Sequence, residues 1–305
     1  MSSTFDSLAS ELLTLRDLLR YAVSRFDAAG LAYGHGAGNA LDEAAFLLLE
    51  SLHLPINDIN PFADARLTLE ERKFLLSRIE ERITGRRPAA YIVNRAYIGG
   101  MPFYVDERAI VPRSFIGELL LSGRLGSDGL GLIEEPAAIT SILDLCTGSG
   151  CLAVIASKLF PNALVHASDL SGDALNVARR NVAESGEADR IELYEGDLFA
   201  PLPQGRYELI LANPPYVDEE AMAALPPEYR HEPAMALDGG RDGLAIVRRI
   251  LAEAKNRLTP DGLLICEIGR GRELLERDYP ELDVFWLETE ESSGEVFCLR
   301  AAALS

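Results

Sequence analysis

Apolar positions in the first 88 residues recur at helical spacing. Leu12, Leu13, Leu15, Leu18 and Leu19 make the opening stretch, MSSTFDSLASELLTLRDLLR, read as an amphipathic helix. A second pattern covers residues 44–52. A third, 67–83, opens at Thr68 with Glu70 and Glu71 in its first turn, where acidic groups suit the helix dipole. Between the first two patterns, Gly34-His35-Gly36-Ala37-Gly38-Asn39 has no strand before it and no lysine after its glycines. That context predicts a flexible connection ending in an Asn or Asp helix cap, not a phosphate-cradling loop. Residues 89–112 change character: Tyr91-Ile92-Val93, Ala96-Tyr97-Ile98 and Met101 to Val105 surround Gly99-Gly100, which predicts a hairpin. Val111-Pro112-Arg113-Ser114 then leads into a helix through Leu121, followed by a Gly-rich exposed loop at 126–135.

From residue 140 onward, short apolar runs at 141–145, 163–167, 191–194, 209–212 and 263–267 alternate with helical patterns. Those patterns lie at 151–159, 173–184, 244–258 and 272–278. Regular alternation predicts an α/β fold with a parallel, doubly wound sheet. The last two runs, 284–287 and 296–299, are joined only by a turn at 290–294, so the last strand is expected to be antiparallel. The expected organisation is a small helical N-terminal domain over 1–88, a linking β-hairpin over 89–112 and an α/β domain over 113–305.

Composition narrows the function classes. A chain of 305 residues, 48% apolar, is longer than one average domain and ample for a sizeable core. Its net charge is −19. Residues 1–112 carry 12 basic and 15 acidic side chains, residues 113–305 carry 17 and 33, so the acidity belongs to the C-terminal two-thirds. Such a balance argues against gripping nucleic-acid phosphates. No apolar run is long enough for a membrane span, and the N-terminus lacks the pattern of a signal peptide, so a cytoplasmic protein is expected. Cys146, Cys151, Cys266 and Cys298 show no Cys-x-x-Cys spacing; they read as reduced structural thiols, and no metal site is expected.

Three strand ends carry candidate chemistry. Ile142 to Leu145 runs into Cys146-Thr147-Gly148-Ser149-Gly150 and then a helix, a turn that lets the backbone approach a ligand closely. The next strand ends at Asp169, 19 residues after Gly150, where a carboxylate can accept bonds from ribose hydroxyls. Ala153 stands where a dinucleotide fingerprint has its third glycine, so a nucleoside without pyrophosphate fits better than NAD or ATP. Gly196-Asp197-Leu198-Phe199 follows the third strand; Asp197 and Leu198 are placed either to flank a purine or simply to cap a surface turn. The fourth strand ends in Asn213-Pro214-Pro215-Tyr216. Consecutive prolines stiffen the backbone and leave carbonyls unpaired, Asn213 adds a carbonyl oxygen, and Tyr216 adds a flat face. Converging acceptors beside an aromatic face suit a planar NH₂ group whose nitrogen attacks an electrophile.

Asp144-x-x-Thr147-Gly148-Ser149-Gly150 followed by Asn213-Pro214-Pro215-Tyr216 resembles the seven-stranded, class I S-adenosylmethionine-dependent methyltransferases that modify planar nitrogens. Val111 to Ser114, the helical N-terminal segment, and Glu232-Pro233-x-x-Ala236-Leu237-x-Gly239-Gly240-x-Asp242-Gly243 narrow the likeness to the HemK-type protein-glutamine methyltransferases. Within that family Glu228-Tyr229-Arg230-His231-Glu232-Pro233, Arg113-Ser114 and Cys146 are similar to the branch acting on the third large-subunit ribosomal protein; Phe115 departs from the proline expected there. The resemblance implies S-adenosylmethionine as cofactor, leaving as S-adenosylhomocysteine. It would be held by Asp144, Cys146, Thr147, Gly148, Ser149 and Gly150, with Asp169 on its ribose and Asp197 and Leu198 at its adenine. It also implies that Asn213, shared with the cofactor site, Pro214, Pro215 and Tyr216 form the catalytic group. Arg113, Tyr216, Arg230, His231, Glu232 and Pro233 would meet the substrate, a basic large-subunit ribosomal protein. His231 reads as a loop-ordering or substrate-meeting residue, not a general base.

Three other readings remain. The release-factor branch of the same family would modify a Gly-Gly-Gln glutamine. A DNA adenine-amino methyltransferase shares the tetrapeptide's chemistry but needs a basic stripe for phosphates, which is missing here. A non-enzymatic S-adenosylmethionine sensor has no need of an amide-nitrogen acceptor such as Asn213.

Overall fold

A computed structural model describes residues 2–289 and 293–304. The chain divides into two compact units. One comprises Met1–Ala96, Val105–Glu107 and Leu225–His231; the other comprises Tyr97–Tyr104, Arg108–Ala224 and Glu232–Ser305. The segment 225–231, expected within the α/β span, thus belongs with the helices.

The helical unit contains α1 (Ser2–Glu11), α2 (Leu15–Ala28), α3 (Ala40–Ser51), α4 (Leu69–Gly85) and α5 (Ala89–Val93). The single opening helix expected from the leucine pattern is two helices. Thr14 adopts an extended conformation, accepts a bond from the Asp17 N–H, and receives the Asp17 carboxylate on its own N–H, so a capping box starts α2 anew. Asn39 caps α3, and Thr68 with Glu71 forms a second capping box at α4. Leu15, Leu18, Phe26, Leu47, Leu48, Leu75 and Ile79 bury the apolar faces of these helices in one core. Tyr91-Ile92-Val93, expected in the hairpin, is helical and ends at left-handed Asn94 (φ +54°). The hairpin itself is shorter, β1 (Ala96–Ile98) and β2 (Met101–Phe103), turned by Gly99 and Gly100.

The α/β unit holds α6 (Phe115–Leu121), β3 (Ser141–Leu145), α7 (Cys151–Leu159), β4 (Leu164–Asp169), α8 (Gly172–Ser185), β5 (Ile191–Glu195), β6 (Tyr207–Ala212), α9 (Glu219–Ala224), α10 (Ala245–Arg257), β7 (Leu258–Glu267), α11 (Arg272–Asp278), β8 (Phe285–Glu288) and β9 (Ser293–Arg300). The sheet has seven strands in the order β5-β4-β3-β6-β7-β9-β8. β3 pairs in parallel with β4 and β6, β4 with β5, and β6 with β7, while β9 is antiparallel to both its neighbours. This is the doubly wound sheet with an antiparallel last strand that the alternation predicts. Residues 290–292 of the expected turn lie outside the described residues.

Alternate strand positions serve opposite faces. Ile142, Leu209, Leu211 and Ile265 pack with α6 and α7, whereas Leu143, Ile210, Leu264 and Phe297 pack with α10. The strand order reverses between β3 and β6, so the loops after these two strands flank a crevice at the carboxyl ends. The four cysteines are free thiols.

Candidate active site

The loop after β3 is shaped from within. Asp144, fully buried, accepts from Thr147 Oγ1 at 2.5 Å and from the Ala153 N–H at 3.0 Å, tying the turn to the first turn of α7. Burial pushes its carboxyl up to about 7, and Oδ1 has no partner among the described residues. Cys146 takes a left-handed backbone conformation (φ +58°), as do Gly148 (+55°) and Gly150 (+78°). A non-glycine residue held there is strained, and such strain collects at ligand sites.

Asp169 bridges two loops. One oxygen accepts from the Gly148 N–H at 2.8 Å and the other from the Ser171 N–H at 2.9 Å. Each oxygen keeps a lone pair for a further donor such as a ribose hydroxyl. Burial raises its pKa. Asp197, after β5, is half exposed and pairs with Arg249 of α10 at 2.7 Å. Leu198 is also left-handed (φ +48°), and its side chain enters the apolar cluster beneath α10 instead of lining an open face. Its carbonyl accepts from Ser168 Oγ at 3.0 Å. The Leu198 side chain is thus buried and does not line an open ligand face.

Asn213 begins where the β6–β7 ladder stops at Ala212 and Cys266. Its Nδ2 donates to the Arg113 carbonyl at 3.4 Å, which fixes the amide orientation and leaves Oδ1 without a partner among the described residues. The carbonyl end of the amide is therefore left to accept. Pro214 is buried and offers no N–H to continue the ladder. Tyr216 donates its hydroxyl to Glu267 Oε1 at 3.2 Å; burial raises the phenol pKa and the Glu267 charge adds to it. The Gly-Gly-x-Asp-Gly segment explains itself here: a Cβ on Gly243 would lie 2.5 Å from the Tyr216 carbonyl oxygen, and Gly239 donates its N–H to the Val217 carbonyl at 2.8 Å. These bonds pack the segment flat against the tyrosine main chain.

The expected substrate residues divide. Arg113 grips Glu232 with two parallel bonds of 2.6 and 2.7 Å, and the Val111 N–H reaches the same carboxylate at 2.9 Å. The Glu232 side chain is fully buried, so its role is to hold the 111–115 turn. Pro233, half-buried, leads into a short 3₁₀ turn. Arg230 and His231 belong to the helical unit, where His231 Nε2 meets the Gly85 carbonyl at 2.9 Å and Arg230 is exposed. Glu267 was not singled out in the sequence. A glutamate at a strand end gives no local signal of burial, and its partners come from two distant segments, 114–115 and Tyr216.

Left-handed loops at a strand-order reversal and a ribose-competent carboxylate fit a nucleoside-bearing ligand, and an Asn213 oxygen without a partner among the described residues fits a planar N–H donor beside it. Residues 131–225 match the family model described as methyltransferase small domain. The chain is 59% identical, over 96% of its length and 92% of the relative, to the ribosomal protein uL3 glutamine methyltransferase of Bradyrhizobium diazoefficiens. It is 53% identical, over 95% of both, to the protein of that name from Burkholderia pseudomallei. A crystal structure of a methyltransferase from Pyrococcus furiosus aligns with a TM-score of 0.49 at 18% identity, covering 74% of this chain and 98% of that one.

Proposed function

The chain belongs to the family of ribosomal protein uL3 glutamine methyltransferases, and from that premise we propose that it methylates the side-chain amide nitrogen (N5) of a glutamine in uL3. The observation that carries this reading beyond kinship is the orientation of Asn213, whose Nδ2 is held by Arg113 and whose Oδ1 is left to accept.

S-adenosylmethionine, when bound, supplies an electrophilic methyl on sulfur. The loop from Asp144 to Gly150 and Asp169 are the groups that would hold it, with Asp197 and the Leu198 main chain at the adenine end. Asn213 Oδ1 and the Pro214 carbonyl take the two hydrogens of the substrate NH₂ and so fix the direction of its nitrogen. An amide nitrogen is a poor nucleophile because its lone pair is shared with the carbonyl. Positioning and stabilisation of the positive charge that grows on nitrogen therefore carry the rate. Tyr216 gives the flat amide a surface to lie on. After transfer, with the sulfur–methyl bond broken and S-adenosylhomocysteine left behind, the nitrogen gives up one hydrogen as a proton to water. Arg113 and Glu232 hold the turn that orients Asn213, and Arg230 is the exposed cation of the Glu228–Pro233 motif free to meet a protein substrate.

Purified enzyme with a methyl-labelled donor should label a glutamine of purified uL3. Label on a purified release factor instead of uL3 would overturn the substrate assignment.

A further inference from the structure

Glu267 and Asn213 stand side by side just past Cys266 and Ala212, the last pair of their parallel strands, with Glu267 still paired to Val296 of β9 on its other edge. The Glu267 carboxyl is buried, with the residue 2% exposed. Oε2 accepts from Ser114 Oγ at 2.9 Å and from the Phe115 N–H at 3.1 Å, while Oε1 accepts from the Tyr216 hydroxyl at 3.2 Å. Burial pushes the group up to about 7, and the Arg113 charge partly offsets this. On its other side the Tyr216 ring rests on Gly269, where a Cβ would lie 2.6 Å from Cδ2.

An apolar side chain would fill this space with a smaller desolvation cost. Once ionised, above about pH 7, a carboxylate differs in accepting at every lone pair, so three donors can converge on it with fixed directions. Those donors are not arbitrary. One is the tyrosine of the tetrapeptide; the other two belong to the turn whose Arg113 carbonyl sets the Asn213 amide.

We propose that Glu267 is a positioning residue for methyl transfer. Through the Tyr216 hydroxyl it fixes the plane on which the substrate amide lies, and through Ser114 and Phe115 it steadies the turn that orients Asn213. The proposal rests on the reading of this site as an amide methyltransferase.

Glu267→Gln is nearly isosteric but turns an amide NH₂ toward at least one of the three donors. It should lower kcat by about 10- to 100-fold while KM for uL3 and the cofactor Kd change by less than about twofold. Tyr216→Phe should cost a similar factor. The double variant should be no slower than the slower single one, because both changes remove one interaction. Ser114→Ala, which removes one donor from the opposite oxygen, should give a smaller loss of the same kind. Wild-type turnover in Glu267→Gln, or losses that multiply in the double variant, would overturn the proposal. A readout independent of turnover separates it from the function reading. In fluorotyrosine-labelled protein, the Tyr216 resonance, assigned by its loss in Tyr216→Phe, should shift in Glu267→Gln. A resonance that stays put overturns the positioning role even if no substrate is ever labelled.

Discussion

Asn213 shows how far a single residue can be read from sequence. Its type and its place before two prolines point to an acceptor for a planar NH₂ group. Which end of its amide faces outward depends on a carbonyl 100 residues earlier, that of Arg113. Asn213→Ala should keep cofactor affinity and lose methyl transfer by about 100-fold or more, the scale of removing one preorganised polar group at a reacting centre. Calorimetry paired with turnover checks both halves, and unchanged turnover would remove Asn213 from the mechanism. The turn-holding role of Glu232, which the sequence offered as a substrate-meeting residue, and the whole of Glu267 were illegible for the opposite reason. A carboxylate looks solvated in sequence until its partners are known, and Arg113, Ser114 and Tyr216 are all distant along the chain. Burial of such groups has a pH signature. Asp144 and Glu267 are each pushed up to about 7, so between the ordinary carboxylate range and that value the folded chain holds protons that the unfolded chain releases. Their contribution to stability is complete below the ordinary carboxylate range, about pH 4, and is lost progressively as pH rises from there through about 7. Melting temperatures of the cofactor-free protein should fall across that window, and Asp144→Asn should flatten the slope; an unaltered slope would assign the effect to other groups.

At the scale of elements, strands and helices from 141 onward were legible because buried parallel strands are short apolar runs separated by amphipathic helices. Three features were not. The leucine run through residues 12–19 keeps helical spacing across a break, since periodicity does not register Thr14 closing one helix geometry and opening another. Tyr91-Ile92-Val93 has strand-forming residue types, yet it is helical with Tyr91 and Ile92 buried. The segment 225–231 carries no sign in its composition that it joins the helices. In the structure Glu228, fully buried, pairs with Arg82 at 3.4 Å and Arg86 at 2.9 Å and accepts from the Ala32 N–H at 3.1 Å. Arg82, also fully buried, is held by Glu43 at 3.0 Å. Tyr229 stacks near His35 with ring centroids 4.3 Å apart, which gives the glycine-rich connection of the helical unit a packing role. Removing one member of a buried ionic group strands the others. Glu228→Ala should therefore destabilise the protein by about 3 kcal/mol, measured by denaturant unfolding. A change below about 0.5 kcal/mol, the range of ordinary surface substitutions, would mean that water reaches Arg82.

For the molecule as a whole, charge is the property that the sequence states outright. Of the net −19, the part beginning at residue 113 holds 33 acidic against 17 basic side chains. Many of its arginines are already committed: Arg113 to Glu232, Arg248 to Asp242 and Asp278, Arg249 to Asp197, Arg190 to Glu187. Pairing of this kind removes basic side chains from the long-range field and leaves the surplus acids to dominate it. A protein substrate with a basic surface, as we propose for uL3, would be drawn to such a surface from beyond contact distance, which raises the encounter rate more than the final affinity. Attraction between exposed charges decays over about 10 Å at 0.1 M salt and faster as salt is added. Raising salt from about 0.05 to 0.3 M should therefore lower kcat/KM for uL3 several-fold, while kcat at saturation and cofactor affinity hold nearly constant. Glutamine-bearing peptides without basic residues should show no such dependence at the same site. If kcat/KM for the full ribosomal protein is flat across that range, the acidity serves solubility alone, and recognition falls to short-range contacts.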